Sequence, residues 1–176
     1  NYISGSAYNR NRILNHGLIE RVRKGLKNHI DYPHIYLDIL VSAVGPVANS
    51  SIVLALEGEG SHEGQSDYTN AYKLGRRIDQ FIHLRDALHE GISLIGKPFD
   101  ELLFVNMYII LCQKYTRQIC QVNRSLYMAN NIDTRFVALG LIPFFISAIK
   151  QYPFFKKYMK QIESSIYKSV HHFKGT

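Results

Sequence analysis

The sequence predicts an all-α fold, a compact bundle of five to seven helices forming a single domain over residues 1–176. Apolar residues recur every three or four positions through most of the chain, which is the repeat of an amphipathic helix. The short segments Asp31-Tyr32-Pro33, Gly45-Pro46 and Lys97-Pro98 separate these periodic stretches. The length of 176 residues and the hydrophobic content of 46% suffice for one sizeable core.

The first periodic stretch has an apolar residue at every fourth position, at Leu14, Leu18, Val22, Leu26 and Ile30. The basic residues of this segment lie largely off that line, so we predict one amphipathic helix of about 20 residues. The helix should end before Pro33, because the residue that precedes a proline avoids the helical region.

The most apolar window runs over residues 35–56 and contains Asp38 as its only charge. Gly45-Pro46 divides it into two short pieces, whereas a membrane-spanning helix needs about 20 unbroken apolar residues. We therefore expect two short helices or turns inside the core, and not an integral membrane protein. A hairpin that inserts into a membrane is the alternative.

A Gly-rich acidic stretch, EGEGSHEGQSDYTN, follows at residues 57–70. It lacks apolar periodicity and predicts a mobile, solvated loop. Its carboxylates and His62 offer a cation site as the alternative, although their spacing does not match the twelve-residue calcium loop.

Two long helices are predicted next, over about residues 71–94 and 99–128. The second is apolar around most of its circumference at its start, which is typical of a helix surrounded by others. Cys112 and Cys120 lie eight residues apart in it, a rise of about 12 Å that exceeds the reach of a disulfide. We expect two small buried thiols.

The last two predicted helices cover residues 136–149 and the stretch that begins near residue 152. Asp133 and Thr134 are good N-cap residues for the first of them, and Pro143 predicts a kink or a break inside it. In the last helix one side is apolar (Tyr152, Phe155, Met159, Ile162 and Ile166) and another carries Lys156, Lys157, Lys160 and Lys168. The apolar side is expected in the core and the lysines in solvent.

The formal charge of +7 comes entirely from the two ends of the chain. Residues 1–27 and 150–176 each hold six Lys or Arg and one acid, whereas the stretch between them is slightly acidic. Such a distribution favours an acidic partner: nucleic acid, anionic lipid or an acidic protein. If the terminal helices pack side by side, their cations form one positive surface.

We predict a non-catalytic binding protein that contacts an anionic macromolecule or membrane surface through a basic face of the terminal helices. The candidate binding residues are Arg10, Arg12, Arg21, Arg23, Lys24, Lys156, Lys157 and Lys160. A structural subunit of a larger assembly, for example one that coats nucleic acid or forms oligomers, is the alternative.

A metal-dependent helical enzyme is a further alternative, because Asp79, His83, Asp86 and Glu90 step by four, three and four along one helical side. Facing helices of a bundle do hold metals with such side chains, but no matching Glu-x-x-His motif occurs in another predicted helix. We expect this row to face water. Nucleotide-binding, zinc and hydrolase motifs are likewise missing, so no cofactor is predicted.

Overall fold

The computed structural model describes residues 7–25, 33–47, 74–96, 98–122 and 133–171. These residues form seven α-helices and no β-strand, which confirms the predicted all-α class. The helices are α1 Arg10–Asn15, α2 Leu18–Gly25, α3 Pro33–Ala43, α4 Leu74–Ile95, α5 Glu101–Val122, α6 Thr134–Ile149 and α7 Phe155–His171.

The helices belong to two compact units. The first contains α1, α2, α3 and residues 82–95 of α4, and the second contains residues 74–81 of α4 together with α5, α6 and α7. The arrangement as one domain stays a prediction, and each unit is described by itself.

The segment predicted as one helix is two helices, α1 and α2, so that prediction is wrong. Gly17 adopts a left-handed φ of 58°, a conformation that glycine adopts without steric cost. Its N–H donates to the carbonyl of Leu14 at 3.1 Å, which closes α1, and α2 starts at the next residue. The break leaves Leu14 58% exposed while Leu18 and Val22 are buried. Leu26 and Ile30 lie outside the described residues.

The core of the first unit joins α2, α3 and α4 through Leu18, Val22, Tyr36, Leu40 and Ala87. Helix α3 ends at Ala43, directly before Gly45-Pro46, as the sequence predicts. The second half of the apolar window, the predicted loop at 57–70 and the stop at 31–32 lie outside the described residues.

A carboxylate connects the same three helices. Glu90 on α4 accepts a hydrogen bond from the Arg21 guanidinium of α2 at 3.0 Å and another from the Tyr36 hydroxyl of α3 at 2.9 Å. Gly25 allows this arrangement, because a Cβ at that position would overlap the Tyr36 ring and hydroxyl. The Tyr36 hydroxyl therefore reaches Glu90 only because residue 25 has no side chain.

Helix α5 packs against both α6 and α7 in the second unit, and those two helices also pack against each other. Phe104, Val105 and Tyr108 of α5 are fully buried. Tyr108 donates its hydroxyl hydrogen to the carbonyl of Phe145 at 2.5 Å. Phe81 of α4 packs edge-on against Tyr108, with ring centroids 5.7 Å apart. Residues 123–128 of the predicted helix lie outside the described residues.

Helix α6 runs without interruption from Thr134 through Pro143 to Ile149, so a break at the proline is wrong. Pro143 is exposed. Asp133 stands directly before the first residue of the helix, as the cap prediction requires. Cys112 and Cys120 of α5 are buried free thiols, which confirms the expectation for both.

Candidate anion-binding surfaces

Helix α7 separates apolar and basic side chains, as its sequence predicts. Phe155, Ile162 and Ile166 are buried, because the helix needs one apolar side to pack in the second unit. Lys156 and Lys160, one turn apart, are exposed on the other side. Met159, which the sequence assigned to the core, is instead 38% exposed.

The exposed side of α7 forms a row that we call the α7 lysine row: Lys156, Lys160, Ser164 and Lys168. These residues recur every four positions and all are exposed, so the row follows the helix axis for about 18 Å. Within the described parts of the chain, no carboxylate lies within ion-pair distance of Lys156 or Lys160. Both ammonium groups are directed to solvent and available to an anion.

Lys157 has different surroundings from its neighbour Lys156. Its ammonium donates to Glu101 of α5 at 2.8 Å and lies 4.9 Å from the centroid of the Tyr158 ring. The hydrogen bond to Glu101, followed by that to Tyr158, raises the pKa of Lys157 to about 12. Lys157 is therefore protonated at neutral pH, and the Glu101 carboxylate partly compensates its charge.

The predicted basic residues of the first unit are largely engaged within the protein. Arg21 pairs with Glu90, and Arg23 pairs with Glu20 at 2.7 Å. Arg12 donates to the carbonyl of Pro46 at 3.2 Å. The remaining two predicted binding residues of that unit, Arg10 and Lys24, are exposed, and among the described residues neither has a carboxylate partner.

The eight predicted binding residues thus fall into three groups, one of which is Arg12 alone, bound to the carbonyl of Pro46. Carboxylates partly neutralise Arg21, Arg23 and Lys157, whereas Arg10, Lys24, Lys156 and Lys160 keep an uncompensated charge in the described structure. One continuous basic surface formed by both terminal helices stays a prediction.

The four metal candidates on α4 do not act together. Asp79 is exposed, but His83 is only 7% exposed, so the expectation that the whole row faces water is wrong. Asp86 pairs with Arg85 at 2.6 Å, and Glu90 is occupied by Arg21 and Tyr36. In the described ranges no cluster of three or more histidine, cysteine or acidic side chains is suited to a metal ion.

The thiols and one histidine have perturbed ionisation. Burial raises the pKa of Cys112 far above its ordinary value and that of Cys120 to about 11, so both are protonated and poor nucleophiles at neutral pH.

His89 packs against Phe99 with ring centroids 4.7 Å apart. Burial lowers the pKa of His89 below 6.5, against the raising effect of Asp86.

The sequence interpretation missed an exposed stripe on α5. Leu102, Asn106 and Ile110 recur every four residues and are exposed, and Asn106 accepts a hydrogen bond from Gln161 of α7 at 3.2 Å. The signal was present as a polar position at 106 and others at 113 and 117 within the apolar helix. The many apolar residues of this helix predict a position surrounded by other helices, and its exposed side differs from that prediction.

No protein-family model, curated protein or solved structure matches the chain. Among the described helices, none combines the length and the apolar character that crossing a membrane requires.

Proposed function

We infer that the protein is a non-catalytic binding protein whose exposed cations contact an anionic macromolecule or an anionic membrane surface. The observation that carries this proposal is the α7 lysine row. Lys156 and Lys160 lie one turn apart on the exposed side of α7, whose apolar side is buried. No carboxylate of the described residues pairs with either lysine. Exposed charges of this kind add little to stability, whereas they attract polyanions over several ångströms.

The row supports binding more strongly than the predicted basic residues of the first unit do. Arg21 and Arg23 already have carboxylate partners, and Arg12 donates to a backbone carbonyl. An incoming anion would have to compete with those contacts. We therefore expect Lys156 and Lys160 to contribute most to the affinity for an anionic partner, and Arg10 and Lys24 to contribute less.

The test compares two double charge reversals that change the net charge equally, Lys156→Glu with Lys160→Glu and Arg10→Glu with Lys24→Glu. The affinity of each variant for polyglutamate is measured at low salt by fluorescence anisotropy, and circular dichroism verifies the fold. We expect the α7 variant to lose about tenfold or more in affinity, equivalent to about 1.4 kcal/mol. The Arg10/Lys24 variant should lose clearly less.

Equal losses in the two variants would show that only net charge matters and that α7 contains no site. Unchanged binding by the Lys156/Lys160 variant would remove the basis of the proposed function.

A further inference from the structure

The exposed stripe of α5 contains large apolar side chains beside the proposed anion-binding helix. Leu102 is 49% exposed and Ile110 43%, and Met107, on the same helix, is 37% exposed. Leu102 and Ile110 lie on the same exposed side of α5 with Asn106 between them, and large exposed apolar side chains grouped in this way mark a contact site for another molecule. The stripe adjoins α7, because Asn106 lies between Leu102 and Ile110 and bonds to Gln161.

The surroundings of the stripe are basic. Lys114 and Arg117, one and two turns beyond Ile110 along α5, are exposed. Glu101 is the only acidic residue of α5, and its carboxylate is bound by Lys157. An apolar centre with cations at its border is complementary to a partner that has apolar side chains flanked by carboxylates.

Amides within the stripe distinguish among the classes of partner. Asn106, Gln113 and Gln161 are exposed beside Leu102 and Ile110. Moving amides into hydrocarbon without hydrogen bonds is costly, which disfavours insertion of this surface into a lipid bilayer. A polypeptide can satisfy the same amides with its own polar groups, as protein interfaces regularly do.

Two other occupants fit less well. The phosphate backbone of nucleic acid would use the lysines but leave Leu102 and Ile110 without apolar contacts. A second copy of this chain would bring another net charge of +7 toward the same cations, which is unfavourable at short range.

We propose that α5 and α7 form a docking surface for an acidic amphipathic helix of a partner protein. Leu102, Met107 and Ile110 receive the apolar side of that helix, as in other helix-binding surfaces. Lys114, Lys156 and Lys160 attract the carboxylates beside it. This proposal rests on the proposed function and specifies its partner.

The probe is a synthetic helical peptide of about 20 residues, with leucine at positions i, i+3, i+4 and i+7 and glutamate around them. A scrambled peptide of the same composition controls for charge. The protein variants are Leu102→Ser with Ile110→Ser and, as matched control, Leu139→Ser, which removes a leucine of α6 that is 40% exposed outside the stripe. Fluorescence anisotropy gives each affinity.

We expect the Leu102/Ile110 variant to bind the amphipathic peptide about tenfold more weakly and polyglutamate as the parent does. The Leu139→Ser variant should bind both as the parent does. The scrambled peptide should bind no more tightly than polyglutamate.

Equal affinity of the Leu102/Ile110 variant and the parent for the peptide would overturn the proposal, as would tight binding of the scrambled peptide. If the Leu102/Ile110 variant lost affinity only for phosphatidylserine vesicles, the stripe would be a membrane contact. If the variant instead lost self-association, as measured by sedimentation, the stripe would be a contact with a second copy of the chain. Either result would also overturn the proposal. The proposed function would survive all of these outcomes, because it is tested by the binding of polyglutamate to the two charge-reversal variants and not by the peptide.

Discussion

Neighbouring cations of α7 have unequal electrostatic surroundings. Lys157 bonds to Glu101, whereas Lys156 has no described carboxylate partner although it is the adjacent residue. Successive residues of a helix point about 100° apart, so a shift of one position decides whether a lysine meets α5 or solvent. Sequence composition treats these lysines as equivalent, and the tertiary contacts distinguish them.

At the same scale, His89 predicts a pH dependence of stability. Its folded pKa lies below 6.5 because of burial, so the unfolded chain takes up the proton more readily. The contribution of neutral His89 is therefore complete above the unfolded pKa of about 6.5 and is lost as the pH falls from there through the lower folded pKa.

The variant His89→Phe keeps a ring against Phe99 and removes the titration. We expect the denaturant midpoint of the parent, relative to that of the variant, to fall between about pH 7 and about pH 5. Contributions from other parts of the protein are common to the two proteins and cancel in the difference. A difference that is constant over this range would contradict the prediction.

At the scale of helices, close approach in the first unit depends on single small residues. Gly25 at the end of α2 admits the ring of Tyr36, and Gly91 of α4 lies against Ile39 of α3, where an added Cβ would be 3.2 Å from a methyl group. The helix pattern alone places the apolar residues on the correct sides. It does not indicate which glycine is required for the packing.

We expect Gly25→Ala to lower the free energy of unfolding by about 1–3 kcal/mol, because the new methyl group displaces the buried Tyr36. Gly140→Ala is the matched control: this glycine lies inside α6 with nothing within 4 Å of an added Cβ. It should stabilise the protein by about 0.5–1 kcal/mol. Urea denaturation measures both, and equal effects of the two substitutions would refute the packing role of Gly25.

At the scale of the whole molecule, the charge distribution governs association. The net charge of +7 resides in the terminal segments, and the middle of the chain is slightly acidic. Electrostatic attraction of this kind displaces counterions from a polyanion and depends on salt rather than on the sequence of the partner.

With duplex DNA as a simple polyanion, log affinity should fall linearly with log salt. Each lysine in contact with a phosphate contributes a slope of about −0.9. Replacing Lys156 and Lys160 by glutamine should therefore make the slope shallower by about 2. An unaltered slope, measured by salt titration of the bound fraction, would place the contacts elsewhere.

Much of the fold was predictable because the apolar repeat and the prolines act locally. The ends of α3, α4 and α6 lie within a few residues of their predicted positions. Gly17 was the exception: apolar residues recur on both sides of it, and the pattern does not show that its backbone turns left-handed. The course of α6 through Pro143 was likewise not predictable, because a proline inside a helix can either break it or leave it continuous.

Less of the candidate site was predictable. The segregation of lysines from apolar residues on α7 follows from helical spacing, which the sequence contains. Arg23 pairs with the nearby Glu20, but the neutralisation of Arg21 and Lys157 depends on Glu90 and Glu101, which are far away along the chain. The stripe at Leu102 and Ile110 was missed because an apolar residue has the same appearance in a sequence whether another helix covers it or not.

The sequence by itself determined the helical class, the charge excess at the ends and the amphipathic character of α7, since each arises from the order of neighbouring residues. The tertiary structure decided where the first helix breaks, which lysines face solvent without a carboxylate and which apolar side chains stay exposed. Those properties depend on contacts between residues that are distant in the chain, and local spacing does not encode them.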